Sequence, residues 1–274
     1  MIQLKNLPLP DDTLNRLQKL QRLLDEYGDY SLRVAVVEGR FNTQNKPANL
    51  IFREVRRVLL EMSSGAERCH YCEDSKANQV EHIAPKSWYP ELCFVWENYC
   101  TACGPCNSPK NNQFAVFRNH DGRFFEFEKR KKGEPVFPPP PGRHVLINPR
   151  IENPLDFFFL DIESRSFRIV EWAEEGSEEF ERAQYTIKIL GLNSRSYLPK
   201  ARREAYESYR ARLSEYVAQK NAGASPEQLA SLADNLRQAQ HPTVWAEMKR
   251  QRRKLPELRL LFEQVGAEIE RGDL

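Results

Sequence analysis

Two Cys-x-x-Cys pairs constrain this chain more than any other feature of its sequence. Cys69 and Cys72 form the first pair, Cys103 and Cys106 form the second, and the 30 residues of 73–102 separate them. Two such pairs can complete the tetrahedral four-sulfur shell that suits Zn²⁺. Because a closed shell leaves no position open for a substrate, this zinc would be structural. The alternatives are redox motifs or incidental cysteines, although the βαβ context of a thioredoxin-like motif is missing.

The remaining composition is that of an ordinary globular protein. The length of 274 residues predicts about two domains, and the 40% hydrophobic and 29% charged residues are typical of a folded chain. No apolar run approaches the ~18 residues of a membrane span, and the N-terminus lacks a signal-peptide pattern, so we expect a cytoplasmic protein. The net charge of +2 excludes a histone-like polycation but not a local basic surface. The cysteines outside the pairs, Cys93 and Cys100, are expected to be core thiols.

Hydrophobic periodicity predicts an α+β protein with a mainly helical C-terminal part. Leucines at helical spacing predict a helix from Asp11 to Tyr27, and a second helix fits 48–63. The further predicted elements are a short run at 145–147, hairpin strands at 156–160 and 167–172, and helices at 177–190, 198–219, 226–238, 243–250 and 258–270. The predicted regions are an N-terminal helical segment (1–65), a core with the cysteines (66–130), a proline-rich linker or strap (131–155) and a hairpin with helices (156–274).

A strand–loop–strand–helix pattern runs through the cysteine-containing core. Val80 lies in a predicted strand that Pro85 ends, and 99–102 can form a second strand. Because Pro109 is tolerated in the first turn of a helix, we expect a helix to begin near Cys106.

This pattern resembles the zinc-bearing HNH endonucleases. The residues that carry the resemblance are Cys69-x-x-Cys72, Glu81-His82-Ile83-x-Pro85-Lys86, Asn98 and Cys103-x-x-Cys106-Asn107-x-x-Lys110. The three positions that name the motif correspond to His82, Asn98 and Asn107, and the family often has Asp where this chain has Glu81. The resemblance implies a ββα-metal core with a structural zinc site formed by the four paired cysteines.

The resemblance also implies roles for individual side chains. His82 would be the general base, because a neutral imidazole can take a proton from water near neutral pH. Glu81 and Asn107 would supply oxygen ligands to Mg²⁺, or to another divalent ion, that polarises the phosphate. Asn98 would hold the long loop through its side-chain amide. The alternatives are a structural histidine, a helix-capping Asn107 and a simple turn residue at Asn98.

Strand geometry adds one expectation to this site. Neighbouring residues of a regular strand point to opposite faces, so Glu81 and His82 cannot both face one metal from it. The resemblance to the HNH family implies either a local distortion here or a backbone carbonyl that orients the imidazole. Lys86 and Lys110 are candidate phosphate contacts, with a solvated role as the alternative.

Further motifs are similar to the PtuB-like HNH subunits of Septu and retron-type antiphage systems. These motifs are Trp96-x-Asn98-Tyr99, Leu146-Ile147-Asn148-Pro149 and Ile189-Leu190-Gly191-Leu192-Asn193. This resemblance implies an effector nuclease acting on nucleic acid, either DNA or an RNA such as tRNA. It also implies a PtuA-like SMC/ABC-like ATPase partner and, as a candidate component, a retron RNA or DNA. The chain has no Walker motif, so ATP hydrolysis would come from the partner, on which the N-terminal or C-terminal helices would dock.

The sequence also contains basic segments, and it leaves two alternatives to the nuclease function open. The runs at 129–132 and 249–254 and the arginines of 202–212 are candidate phosphate contacts or solvated faces. The main alternative to a nuclease is a zinc-stabilised nucleic-acid-binding or adaptor module without hydrolytic activity, and a redox protein is the third. No pattern distinguishes a DNA from an RNA substrate, because phosphate contacts position a nucleic acid without reading its sequence.

Overall fold

A computed structural model describes residues 1–131, 133–266 and 269 of the chain. In these residues helices combine with small antiparallel sheets, which confirms the α+β class. The helices are α1 (Asp11–Asp25), α2 (Tyr30–Gln44), α3 (Leu50–Glu61), α4 (Gly104–Lys110), α5 (Glu178–Ile189), α6 (Tyr197–Asn221), α7 (Pro226–Arg237), α8 (Pro242–Gln251) and α9 (Pro256–Val265). The strands are β1 (Gln79–His82), β2 (Tyr99–Ala102), β3 (Ala115–Arg118), β4 (Phe124–Glu126), β5 (Gly142–His144), β6 (Phe158–Leu160) and β7 (Ile169–Glu171).

The N-terminal region contains one helix more than the sequence predicts. The predicted helices correspond to α1 and α3, but α2 has no predicted counterpart. Several valines and Gly39 lower its intrinsic helix propensity. The helix nevertheless starts at a clear cap, because the Asp29 side chain accepts hydrogen bonds from the backbone of Ser31 and Leu32. Val37 and Phe41, one turn apart, are buried in the core, so tertiary packing decides the conformation.

The two short strands of the cysteine-containing core form an antiparallel pair followed by a helix. Glu81 lies opposite Cys100, and His82 lies opposite Tyr99. The helix α4 begins at Gly104, within two residues of the predicted start near Cys106, and Pro105 occupies its first turn. Pro109 is therefore in the last turn, where its missing N–H removes only one bond of a seven-residue helix.

The proline-rich segment connects β4 to β5 in a three-stranded sheet that was not predicted from the sequence. The strand order is β4-β3-β5, with β3 in the centre. Gly142 permits close approach of β5, because an added Cβ would lie 2.4 Å from the carbonyl oxygen of Phe117. The short run at 145–147 is the buried segment that follows β5.

The C-terminal region follows the predicted pattern closely. β6 and β7 pair antiparallel as the predicted hairpin, and α5 to α9 correspond to the five predicted helices. The last helix begins at Pro256, and the predicted end at Glu270 lies outside the described residues. None of the helices in the described part of the chain combines the length and apolar character that crossing a membrane requires.

Two hydrophobic cores hold the cysteine-containing region from either side. In the first core, Phe52 of α3 packs against Tyr99 of β2. In the second, Cys106 belongs to the same cluster as Leu198 of α6 and Trp245 of α8. Apolar packing thus crosses the predicted boundaries near residues 65 and 155, and the C-terminal helices are part of the fold that supports the cysteines.

Candidate functional site

The four paired cysteines converge on one buried point, as their spacing predicts. The sulfur atoms of Cys69, Cys72, Cys103 and Cys106 all lie within 4.8 Å of one another. The distance between the Cys72 and Cys103 sulfurs is 3.7 Å. Tetrahedral coordination with a Zn–S distance of about 2.3 Å places sulfurs about 3.8 Å apart, whereas a disulfide requires about 2.0 Å. The cluster therefore has the donor set and spacing of a site that could hold a metal ion such as zinc.

The local backbone conformation directs these four thiols towards one another. In the first pair, the chain turns back so that the Glu73 N–H donates to the carbonyl oxygen of Cys69 at 2.9 Å, with Glu73 at a φ of 61°. In the second pair, Cys103 precedes the first residue of α4 and Cys106 lies in its first turn. Arg195, which the sequence analysis did not single out, donates to the Cys106 sulfur at 3.2 Å. A contact of this kind orients a thiolate ligand and offsets its charge.

His70 lies inside the first cysteine pair, but its ring nitrogens have other partners. The backbone N–H of Thr101 donates to Nδ1 at 3.2 Å. Nε2 therefore carries the proton and donates to the carbonyl oxygen of Leu59 at 3.1 Å. Both nitrogens are thus occupied by hydrogen bonds away from the cysteine cluster.

His82 is held in a defined orientation at the end of β1. Its Nε2 lies 2.9 Å from the carbonyl oxygen of Cys93, which also accepts a hydrogen bond from the Tyr99 hydroxyl. The rings of Phe41 and Tyr99 pack edge-on against the imidazole, with centroids 4.5 Å and 5.1 Å away. Since a carbonyl can only accept, Nε2 carries the proton and Nδ1 keeps its lone pair. Of the two expected arrangements, the structure contains the orienting carbonyl.

Burial keeps this imidazole neutral. The ring is withdrawn from solvent, and desolvation together with the nearby charge of Lys86 lowers the pKa of His82 to about 3. A neutral ring has a lone pair that can accept a proton, but the lowered pKa also makes the His82 ring a weaker base than a free imidazole.

Glu81 points to the opposite side of the strand and meets Lys110 of α4. Lys110 Nζ lies 2.5 Å from Glu81 Oε1 and 2.9 Å from the carbonyl oxygen of His82. The lysine side chain has no solvent exposure, so Lys110 lies beneath the site rather than on a phosphate-binding surface. This corrects its predicted role: burial of the ammonium with a carboxylate leaves it no access to a phosphate. Desolvation raises the pKa of Glu81, and the charge of Lys110 opposes that effect.

Asn98 connects the two ends of the long loop between β1 and β2. Its Oδ1 accepts from the backbone N–H of Ala84 at 2.8 Å. Its Nδ2 donates to the carbonyl oxygens of Ala84 and Leu92 at 2.9 Å and 3.0 Å. The amide therefore uses its donors and acceptor on the loop backbone and does not line the cleft described next.

A cleft of about 480 Å³ brings the other predicted residues together. Glu81, His82, Lys86 and Asn107 all contribute to its walls. Asn107 donates from Nδ2 to the Gln79 side-chain oxygen at 2.7 Å, and its own Oδ1 has no hydrogen-bond partner among the described residues. The cleft thus offers carboxylate and amide oxygens beside a neutral imidazole.

Lys86 lies at the edge of this cleft with its charge already paired. Its Nζ is 3.0 Å from Glu38 Oε2 and 5.0 Å from the centre of the Phe41 ring. Both partners belong to α2, so the unpredicted helix supplies one wall of the site.

The contacts that connect β1 to α4 were not predicted, although the residue spacing is compatible with them. Gln79 and Glu81 lie two apart on one face of the strand, and Asn107 and Lys110 lie three apart on one face of the helix. Matching the two periodicities predicts the Gln79–Asn107 and Glu81–Lys110 pairs once the strand and helix are known to be adjacent.

Comparison with known proteins supports the resemblance over part of the chain. No protein-family model matches the chain, and no solved structure matches it. The chain is 33% identical over 144 residues to the "Septu protein PtuB" of Bacillus thuringiensis. The match covers 51% of this chain and 41% of the relative, so it spans well under two thirds of the relative's length. Over half of its length, therefore, this chain is similar to a Septu protein PtuB, which confirms the resemblance to PtuB-like proteins.

Proposed function

We propose that this chain is a metal-dependent HNH-type endonuclease that hydrolyses phosphodiester bonds in nucleic acid. The observation that carries the proposal is the convergence of Glu81, His82 and Asn107 on one cleft, in an antiparallel strand pair followed by a helix. The similarity to a Septu protein PtuB supports a role in antiphage defence.

The donor atoms of the cleft are suited to a hard divalent ion. The carboxylate of Glu81 and the free Oδ1 of Asn107 would hold Mg²⁺, since this ion prefers oxygen ligands. When bound, the ion would polarise the phosphate and stabilise the leaving oxygen. The Glu81 carboxylate has one oxygen on Lys110, which fixes its orientation and leaves the other oxygen for such a role.

In this proposal His82 accepts the proton of the attacking water. The Cys93 carbonyl fixes the tautomer in which Nδ1 carries the lone pair, and the rings of Phe41 and Tyr99 fix the plane of the imidazole. Asn98 acts indirectly, because its three hydrogen bonds hold the loop from which the Cys93 carbonyl projects. A zinc ion on the four cysteines would be structural, because it would join the start of α4 to the turn at 69–72.

The Glu81–Lys110 pair also favours the alternative, a zinc-stabilised nucleic-acid-binding or adaptor module without hydrolytic activity. A buried lysine already neutralises the carboxylate that would bind the ion. The two functions differ in a simple assay. The purified protein is incubated with Mg²⁺ and a panel of plasmid DNA, single-stranded DNA and total RNA, alone and with its ATPase partner.

The nuclease proposal expects cleavage that His82→Ala abolishes. The matched control is His120→Ala, because the His120 side chain is 67% exposed and lies outside the cleft. Both variants should keep the metal content of the wild type. The adaptor function would be favoured instead if the protein binds nucleic acid but no combination of protein, partner and Mg²⁺ cleaves it.

We further propose that the chain acts beside a PtuA-like SMC/ABC-like ATPase. The chain contains no Walker motif of its own, and the similarity to a Septu protein PtuB supports such a pairing. Deletion of 195–274 would test the docking poorly, because α6 and α8 belong to the core around the cysteines. Point substitutions on exposed apolar residues are sharper probes.

Leu260 on α9 is 56% exposed, and Leu32 on α2 is 52% exposed. If the C-terminal helices form the dock, Leu260→Glu should abolish co-purification with the ATPase and Leu32→Glu should not. The opposite pattern would assign the dock to the N-terminal helices. Co-purification unaffected by both variants would contradict docking through these helix faces.

A further inference from the structure

A second cleft adjoins the candidate active-site cleft. It has a volume of about 510 Å³. Both clefts are lined by Ser108, Asn111 and Asn112, at the C-terminal end of α4. A strand lying across the first cleft can therefore continue into the second.

The two clefts differ in charge. The charges of the first are paired internally, Lys86 with Glu38 and Glu81 with Lys110. The charged residues of the second are Lys129 and Arg130, and no carboxylate lines it. Neither cation has an ion-pair partner among the residues that the structure describes. The second cleft is thus the positive part of the joined surface.

The second cleft also contains a preformed stack of aromatic and guanidinium groups. The Arg130 guanidinium lies 3.8 Å from the centre of the Trp88 ring, and the Phe127 ring centre lies 4.9 Å from that of Trp88. Arg130 is fixed there, because it donates to the carbonyl oxygen of Ser87 at 2.6 Å and to the Tyr30 hydroxyl at 2.5 Å. A fixed cation loses little conformational freedom when a ligand binds.

We propose that this second cleft binds an unpaired stretch of a nucleic-acid strand next to the cleaved phosphate. The inference rests on the proposed nuclease function and names the form of substrate that it takes. The charges of Lys129 and Arg130 attract phosphates, and the flat stack of the Arg130 guanidinium on Trp88 matches an unstacked base. This combination of basic groove and stacking surface is typical of single-strand binding. In a duplex the bases stay stacked on each other, so this stack would have no base to contact.

The first test compares the affinity for single-stranded and duplex oligonucleotides. Fluorescence anisotropy is measured with a labelled single-stranded 12-mer and with the same sequence in a hairpin duplex, in Ca²⁺ without Mg²⁺. The His82→Ala protein is the background, and the wild-type protein in the same buffer is a second background. Lys129→Glu is compared with Lys131→Glu, an exposed cation two residues away that does not line the cleft.

Lys129→Glu should weaken single-strand binding about tenfold. It should also reduce the slope of the logarithm of the affinity against the logarithm of the salt concentration by about 0.7 or more. Lys131→Glu should change the affinity less than about twofold. Equal effects of the two variants, tighter binding of the duplex, or no measurable binding would each overturn the proposal.

The second test uses tryptophan fluorescence. Addition of the single-stranded 12-mer should quench the emission of the Trp172→Phe protein, whose missing side chain is 62% exposed and remote from this cleft. Adding Trp88→Phe to the Trp172→Phe protein should remove most of that quenching. Quenching that persists in this double variant contradicts the proposal.

These tests separate the subsite from the nuclease function. Binding that depends on Lys129 and Trp88 without any cleavage supports the single-strand site and rejects the nuclease. The opposite result is cleavage that His82→Ala abolishes, with a binding affinity that Lys129→Glu and Trp88→Phe do not change. This result supports the nuclease function and rejects the single-strand site.

Discussion

Lys110 Nζ lies 2.5 Å from Glu81 Oε1, and this ion pair joins α4 to β1 beneath the candidate active-site cleft. The lysine side chain is fully buried and that of the glutamate is 8% exposed. The same ammonium also donates to the His82 carbonyl. One buried cation therefore positions the backbone and side chain of two adjacent candidate site residues.

Removing one partner of this pair should destabilise the protein strongly. Lys110→Met leaves a carboxylate buried without its countercharge, which costs about 3–5 kcal/mol of unfolding free energy. The double variant Lys110→Met with Glu81→Gln should recover a large part of that loss, because no net charge then stays buried. Urea unfolding of the single and double variants measures the coupling. Losses that simply add would show that the two side chains do not interact as the structure has them.

Metal removal should unfold the region around the four paired cysteines. Zinc-thiolate sites of this type contribute on the order of 10–16 kcal/mol of apparent binding free energy. We expect elemental analysis to find one zinc per chain in the wild type and none in Cys106→Ser. Cys100→Ala is the matched control, since this buried cysteine lies outside the cluster. Retention of full zinc by Cys106→Ser would contradict the four-sulfur site.

Arg195 should tune this metal site without forming it. Its guanidinium donates to the Cys106 sulfur, and such supporting contacts are typically worth about 10–100-fold in metal affinity. Arg195→Met should therefore bind zinc more weakly in a chelator competition while keeping one ion per chain. An unchanged affinity would mean that the contact does not act on the metal.

Asn98→Asp should loosen the long loop. The substitution replaces an N–H donor by an oxygen that faces the carbonyl oxygens of Ala84 and Leu92. Each buried group left without a partner costs about 1–3 kcal/mol, so a loss of at least about 2 kcal/mol in unfolding free energy is expected. Faster hydrogen exchange at the Ala84 amide should accompany it. Asn111→Asp, outside this network, serves as the control.

His144 should contribute to acid sensitivity. Burial lowers the pKa of His144 below its ordinary value of 6.5, and the charge of Arg182 acts in the same direction. Below pH 6.5 the unfolded chain therefore binds a proton more readily than the native chain, so stability falls as the pH falls. His144→Phe should flatten the dependence of unfolding free energy on pH from 6.5 downwards, relative to His120→Phe. An equal slope in the two variants would contradict this assignment.

The sequence predicted elements best where local signals were strong. The α1 helix, the β1–β2 strands and the C-terminal helices have clear periodicity and clear ends, and the Cys-x-x-Cys spacing predicted the thiol cluster. The α2 helix was missed because its valines and Gly39 oppose helix formation locally, while the burial of Phe41 against His82 favours it only in the folded protein.

Tertiary contacts also limited what could be predicted about the candidate site. Sequence motifs selected Glu81, His82 and Asn107, which the fold brings to one cleft. They could not reveal that Lys110 is buried beneath Glu81, because the direction of a lysine at the end of a short helix depends on its tertiary neighbours. The basic run at 129–132 was a candidate phosphate contact, but the second cleft itself could not be predicted, since it joins residues from the loop at 87–88 and from 127–130.

The role of His82 as general base is tested most directly by the cleavage rate of a mixed nucleic-acid panel. Wild-type and His82→Ala proteins are compared with Mg²⁺ and the proposed ATPase partner present. Cleavage is expected from the wild type and from His120→Ala. In His82→Ala the rate should fall at least about 100-fold, the range of general-base catalysis, at unchanged zinc content. Equal cleavage by wild type and His82→Ala, or no cleavage of any nucleic acid by the zinc-loaded wild type, would contradict this role.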